Sequence, residues 1–419
     1  MLKIEFYGAG REVGRSCIEI NYSDQVRLLL DCGVKIKKPS NEYPLSITDP
    51  RNIDLAFLSH SHFDHIGAFP FLFYCGFRGE IITTNLSREV GEIILNDALK
   101  IEKNNGVVFV DKKWIRLSLK NMVERLEGEI KGVKYKLIPS GHIPGSVAIF
   151  LEKEGYPSIL YTSDINGRET RLMSRHAFLP RADILIIDST YGDARQPSRR
   201  RTEKRFKSKV LETIKRGGSV IIPSFSVART QEILLVLDDI KKFSCPIYLD
   251  GMAYRVTKVY LNFLHCMKNE KLKWAVARTR VVRNRMRAKI VKKQGIFISS
   301  SGMLECSPSS FYLDYLFSDS KSSVLLTGYQ ANNTPGKKLL DHGVWNHYGT
   351  DKKVNCEVCS FSFSSHADQH GIEKIIEGVN PRYIIAQHGD KGISAVAQMA
   401  QERDKIAFAP RNGEVLKFN

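Results

Sequence analysis

The sequence predicts an α/β protein in which both ends of the chain build one domain and a basic α/β domain is inserted between them. Three observations carry this reading. Residues 1–190 alternate short apolar runs with loops and few helices. From about residue 193 the texture changes to helix–strand alternation rich in Lys and Arg, and after about 365 the first texture returns. The expected boundaries are therefore 1–192, 193–364 and 365–419, the first and last forming one domain.

The elements follow in order. Leu2–Tyr7, Ser16–Ile20 and Val26–Leu30 read as strands separated by turn residues. Ile53–Leu58 is a continuous apolar run of buried-strand type that ends abruptly in Ser59-His60-Ser61-His62. Arg88–Lys103 has helical apolar spacing, and Val133–Pro139, Ala148–Glu152, Ser158–Thr162 and Ile184–Ile187 are strand-like. In the insert, a basic helix-favouring run at Arg199–Arg216 precedes Gly217-Gly218 and a strand at Ser219–Pro223. A helix at Thr230–Ile240 and a strand at Pro246–Asp250 continue the alternation, which predicts βαβ units and a parallel sheet. The last part holds a helix, a strand at Tyr383–Ala386 and a short tail.

Charge is as uneven as texture. Residues 193–364 hold 31 Lys and Arg against 14 Asp and Glu, a balance of +17, whereas the rest of the chain balances at +1. Residues 271–293 hold ten cations and no acid. A solvated face explains part of this, but so lopsided a block points to a polyanionic partner. There is no run of about 18 apolar residues and no apolar leader after Met1, so a soluble cytoplasmic protein is expected. Eight cysteines without regular spacing argue against a disulfide framework. Cys356 and Cys359 form a single C-x-x-C, whereas a structural zinc normally needs two such pairs or added histidines.

The strongest chemical signal is His60-Ser61-His62-Phe63-Asp64-His65. Two histidines two residues apart at a strand end point the same way and can grip one ion. Asp64 and His65 follow on the next turn and can hold a second. Imidazole and carboxylate suit Zn²⁺, and two adjacent ions can clamp the attacking and leaving oxygens of a phosphodiester. Further ligands are available just past other strands: His142, Asp164 and His388. Any one of them alone reads as an ordinary loop residue; jointly they complete a two-ion site.

These motifs, with Leu30-Asp31-Cys32-Gly33, resemble the metallo-β-lactamase superfamily. The resemblance narrows to its β-CASP ribonucleases, the group of the nuclease subunit of the cleavage and polyadenylation complex and its archaeal relatives. It spans essentially the whole chain. Ile187-Asp188-Ser189-Thr190-Tyr191-Gly192, Ser364-Ser365-His366-Ala367-Asp368-Gln369 and Gln387-His388-Gly389-Asp390 match the three β-CASP motifs. Pro223–Arg229, Ser299–Met303 and Gly328–Ala331 also look like family segments. Asp188 and Asp390 stand where the family often has glutamate. The K homology domains of longer archaeal relatives are not expected.

The resemblance implies an αββα sandwich carrying a β-CASP insert, and two Zn²⁺ per chain. It implies that His60, His62 and His142 hold one ion, that Asp64, His65 and His388 hold the other, and that Asp164 bridges them. Asp31 orients a ligand, His366 donates a proton to the leaving 3′-oxygen, and Asp188 keeps His366 protonated. The implied reaction is RNA hydrolysis through a metal-bound hydroxide, chiefly endonucleolytic, leaving 5′-phosphate and 3′-hydroxyl ends. The cleft between the domains is expected to enclose the ions.

For the substrate, a basic groove with stacking rings suits single-stranded RNA. Lys271–Lys293 supplies charge. Ser299–Gly302 and Thr334–Gly336 are loops whose N–H groups could cradle a phosphate. Ser300, Ser301, Arg229, Lys337, Lys338 and the ring of Tyr191 are the candidate contacts. A 5′-to-3′ exoribonuclease is the alternative within the group. A thioester or lactone hydrolase needs neither the +17 insert nor the His366/Asp188 pair, and an inactive RNA-binding scaffold conflicts with a full set of ligand positions. A homodimer and assembly with other RNA-processing proteins are left open.

Overall fold

The computed structural model describes residues 1–23, 25–37, 40–104, 110–268, 270–305 and 307–419. They form two compact units: 1–169, 173–195 and 365–419 make the first, and 170–172 with 196–364 the second. No helix of the described residues is long and apolar enough to cross a membrane.

The first unit holds two seven-stranded sheets. The order in one is Val415–Phe418, Leu2–Gly8, Cys17–Tyr22, Val26–Leu30, Leu55–Phe57, Glu80–Thr83, Met122–Glu124. The other runs Ile406–Phe408, Tyr383–Gln387, Ile184–Asp188, Ile159–Tyr161, Val147–Lys153, Val133–Pro139, Glu127–Ile130. Alternation decides which side chains meet. Phe6, Leu28 and Phe57 from the first sheet share one core with Tyr135, Tyr161 and Ile186 from the second. The opposite face of the first sheet packs Leu29, Ala56 and Ile81 against Phe69, Phe73 and Ile115. The opposite face of the second packs Leu185 and Ile187 against Ile372, Ile376 and Val396. The result is the expected αββα sandwich.

The tail is more than a tail. Ile406–Phe408 and Val415–Phe418 each extend one of the two sheets, the latter pairing antiparallel with the first strand (Leu2↔Phe418). Both chain ends thus complete one sheet.

The second unit is built on a six-stranded sheet whose pairs are all parallel. Its order is Thr279–Val282, Ile247–Asp250, Ile296–Ser299, Val220–Pro223, Ser323–Leu326, Glu357–Ser360. The basic run 271–293 is a mixed segment. It contains the helix Leu272–Ala277, the edge strand Thr279–Val282 and the short helix Arg287–Ile290. Two of its cations are structural. Arg278 donates to the carboxylate and carbonyl of Asp238 and to the carbonyls of Ile240 and Lys241. Arg287 forks onto the buried carboxylate of Asp250 at 2.7 and 2.9 Å.

Candidate metal centre

All the chemistry-bearing loops of the first unit leave strand ends, and several do so through left-handed backbone. Asp31 follows Val26–Leu30 at φ 58°, Ser163 follows Ile159–Tyr161 at 49°, and His388 follows Tyr383–Gln387 at 53°. Such conformations are costly for non-glycine residues and are tolerated where surrounding contacts dictate them. Gly33 shows how tight the packing is. A Cβ there would meet the carbonyl oxygen of Asp64 at 1.7 Å, so only glycine lets the Asp31 loop lie against the His62–His65 turn.

The strand Leu55–Phe57 delivers His60 and His62, and the short helix Phe63–Ile66 carries Asp64 and His65. The structure brings these together with the three distant candidates. His60, His62, His142 and Asp164 each present a ligand atom within 4.8 Å of one another, and so do Asp64, His65 and His388. Asp164 faces both sets. Its Oδ2 lies 3.5 Å from His60 Nε2 and 3.4 Å from His142 Nε2, while its Oδ1 lies 3.4 Å from His65 Nε2 and 3.3 Å from His388 Nδ1. Asp164, Asp188 and His366 form a third such group. Cys356 and Cys359 fall in none among the described residues.

A shell of hydrogen bonds aims these side chains. Asp31, fully buried, accepts four: from Ser59 N–H (2.7 Å), Ser59 Oγ (2.8 Å), Tyr161 OH (2.7 Å) and His65 Nδ1 (2.8 Å). The last fixes the His65 ring and turns its Nε2 toward Asp164, the usual work of a carboxylate behind a histidine ligand. Ser163 Oγ donates to Ser59 Oγ at 2.6 Å, and Ser59 Oγ also lies 3.0 Å from His60 Nδ1. His142 Nδ1 donates to the Ser365 carbonyl at 3.0 Å, beside His366. His366 Nδ1 donates to Asp188 Oδ2 at 2.8 Å, and Thr190 N–H and Oγ1 hold the other Asp188 oxygen. Thr190 lies inside a recognised motif without a role of its own, and Ser59, Tyr161 and Ser163 escape notice because hydroxyls beside strand ends have no spacing of their own. Their only signal is adjacency to the ligand candidates.

The electrostatics divide the cluster in two. Burial holds His60 and His142 well below the ordinary histidine range and His62 down to about 4, so these rings are neutral lone-pair donors. Burial also opposes a proton on His65, but the carboxylates of Asp164 and Asp31 outweigh it and push the ring up to about 10. His388 is raised for the same reason by Asp164, Asp188 and Asp64, and His366 by Asp188 and Asp164. Against the effect of burial, the neighbouring imidazoles hold Asp64, Asp164 and Asp188 below the usual carboxylate range. The cluster thus calls for buried positive charge beside its carboxylates. Asp164 Oδ1 is buried with no hydrogen-bond partner among the described residues. A lone pair left so, ringed by imidazole nitrogens, fits a divalent cation of the zinc type.

The candidate RNA contacts fall into two places. Tyr191 lies beside the cluster, its ring 6.0 Å from that of His366. The others lie in the second unit, at the C-terminal ends of its parallel strands, where such sheets bind ligands. Arg229 opens the helix Arg229–Asp238 after Val220–Pro223, and Ser300–Ser301 follow the neighbouring strand Ile296–Ser299. Gln330 donates to the Gly302 carbonyl, and Gly336 N–H to that of Met303, drawing the loops together. The Ser301 hydroxyl is taken up by Glu305, Thr334 caps the helix Pro335–His342, and Lys337 and Lys338 pair with Asp341 and Asp351. The buried hydroxyls of Ser224, Ser226 and Ser299, within segments that the sequence marks without giving these side chains a role, lack hydrogen-bond partners among the described residues.

Three family models match in succession. "Anti-Pycsar protein Apyc1" matches 2–189, "Beta-Casp domain" 230–339, and "Zn-dependent metallo-hydrolase RNA specificity domain" 351–410. The chain is 38% identical over its whole length to the whole of a Methanocaldococcus jannaschii protein named "Probable RNase MJ4". The chain belongs to the β-CASP group of the metallo-β-lactamase superfamily. Another β-CASP relative, "RNase aCSPSF2" of Saccharolobus solfataricus, is 34% identical over 99% of this chain and 85% of that protein. The Drosophila melanogaster "Cleavage and polyadenylation specificity factor 73" is 28% identical over 98% of this chain and 63% of its own length. A crystal structure of an Enterococcus faecalis protein of unknown function shares the fold, with a TM-score of 0.62 at 13% identity over 99% of both chains.

Proposed function

We propose that this β-CASP protein is a zinc-dependent ribonuclease that cuts RNA chiefly at internal phosphodiester bonds, leaving 5′-phosphate and 3′-hydroxyl ends. The observation that carries the reading is the position of Asp164, with one oxygen toward His60 and His142 and the other toward His65 and His388. His60, His62 and His142 would hold one zinc ion and Asp64, His65 and His388 another, with Asp164 shared. Bound there, the ions supply Lewis-acid activation of water and neutralise the charge of the phosphodiester.

The chain's own groups do the rest. Asp31 holds His65 in one tautomer and orientation. Asp188, anchored by Thr190, keeps the His366 imidazole protonated to higher pH than a free histidine, so its Nε2 can give a proton to the departing 3′-oxygen. The ring of Tyr191 stacks on a base beside that proton donor. RNA as the substrate is supported by the excess charge of residues 193–364 and by relatives named as RNases.

The test is incubation of the purified protein with body-labelled RNA whose 5′ end is blocked, with and without a chelator. Internal fragments carrying 5′-phosphates, lost on chelation and restored by zinc, are expected. Cutting that needs a free 5′ end would replace this reading with the 5′-to-3′ exonuclease. Cutting indifferent to chelation would overturn it.

A further inference from the structure

Outside residues 193–364 the β-CASP chain is nearly neutral, yet its first unit carries one sharply basic face. The helix Lys112–Lys120 reads Lys-Lys-Trp-Ile-Arg-Leu-Ser-Leu-Lys. Ile115 and Ser118 turn inward, while Lys112, Lys113, Arg116 and Lys120 are exposed. None of the four is ion-paired among the described residues. The acid at this end, Asp111, caps the helix by accepting from Lys113 N–H. A chain of aromatic rings begins beside Lys113. Trp114 lies edge-on to Tyr74 with centroids 5.7 Å apart, Tyr74 stacks on Phe71 at 5.9 Å, and Phe71 meets Tyr43 at 5.3 Å. Tyr74 is 58% exposed, and Lys113 Nζ sits 4.9 Å from the centre of the Trp114 ring.

Core packing explains the inward residues. It does not explain four exposed cations with no acid partner among the described residues, one of them over the ring of Trp114. Cations at helical spacing flanked by rings are what a flexible polyanion with stackable bases recognises. We propose that this face binds single-stranded RNA beyond the stretch being cut, so that long RNA is held at two places. The inference rests on the ribonuclease reading above, since it takes RNA as the substrate.

The zinc-loaded protein carrying His366→Ala, which should hold RNA while cutting it far more slowly, is titrated with uridine oligonucleotides of about 6 and about 40 residues. The same titrations follow with Lys113→Glu, Arg116→Glu and Lys120→Glu added, and separately with Tyr74→Ala. Each charge change lies on an exposed side chain, and a thermal melt checks that the fold survives. Roughly tenfold weaker binding of the long RNA is expected from the charge variant, with the salt slope flatter by about 0.7 for every phosphate that the protein no longer neutralises. The short RNA should bind as before. Unchanged affinity and slope for the long RNA overturn the proposal and leave the face to an acidic protein partner. Equal losses for both lengths also overturn it, because the face would then act at the cleavage site. If the parent binds neither RNA, the ribonuclease reading has failed, and this proposal with it.

Discussion

The framework of the second unit and the histidine cluster of the first both hold carboxylates against positive partners, and they neutralise them differently. In the second unit Asp250 is gripped by Arg287 and Tyr312, and Glu232 accepts from Arg199 at 2.6 Å and from the backbone of Arg171 and Leu172. A guanidinium keeps its proton under any physiological condition, so these pairs are permanent struts. In the first unit Asp64, Asp164 and Asp188 face imidazoles instead. A histidine can give up its proton and offer a lone pair. The same need for positive charge is met by fixed guanidinium at Asp250 and Glu232, and at Asp164 by imidazoles that, in the proposed function, give way to zinc.

Asp164→Asn separates a metal-binding carboxylate from a strut. It keeps the shape and removes the shared charge. We expect zinc per chain to fall from about two to well below one, with loss of cutting. Zinc retained at the parent level would mean that Asp164 is merely another strut. His366→Ala sharpens the contrast within the first unit. Cutting should drop by roughly 10²–10⁴-fold while zinc stays, because general-acid help is lost and the proposed ligands are not touched. Parent activity would remove His366 from the chemistry.

What the sequence makes legible follows the same physical divide. His60–His65, His142, Asp164 and His388 stand out because each ends an apolar strand, and strand ends are visible in local pattern. Val133–Pro139 forms as expected, its side chains alternating between core and solvent. Val415–Phe418 reads as a tail because only Phe418 is well buried and its partner strand begins at Leu2, a pairing no local window contains. Glu127–Ile130, an edge strand, hides for a different reason: its partner strand Val133–Pro139 is only a turn away, but none of its own residues is fully buried, so it has no apolar face to read. The four bonds onto Asp31 are invisible to a motif, since they join residues 28 to 130 positions apart across both sheets. The run 271–293 misleads in the opposite sense: its composition suggests ten free cations, but the fold spends Arg278 and Arg287 on internal carbonyls and carboxylates.

Arg287, by contrast, works inside the fold. Arg287→Ala leaves the Asp250 carboxylate buried beside Tyr312 without its cation. Removing one partner of such a pair typically costs about 3–5 kcal/mol. Chemical denaturation should show that loss in the second unit's transition, with zinc content unchanged. A loss below about 1 kcal/mol would mean that the strut is dispensable.

The smallest effect tests whether the remaining cations of the run act differently from Arg287. Arg283 is four residues away, exposed, and makes no ion pair among the described residues. Arg283→Gln should leave stability within about 0.5 kcal/mol of the parent, as surface changes usually do. Its signature should lie in RNA binding instead, where leaving one phosphate without its cation flattens the dependence of log affinity on log salt by about 0.7. Measured side by side, the two arginines should separate cleanly, one moving the denaturation midpoint and the other the salt slope. If Arg283→Gln alters neither, this stretch of the basic run is a solvated edge, and the charge that holds RNA must come from elsewhere in residues 193–364.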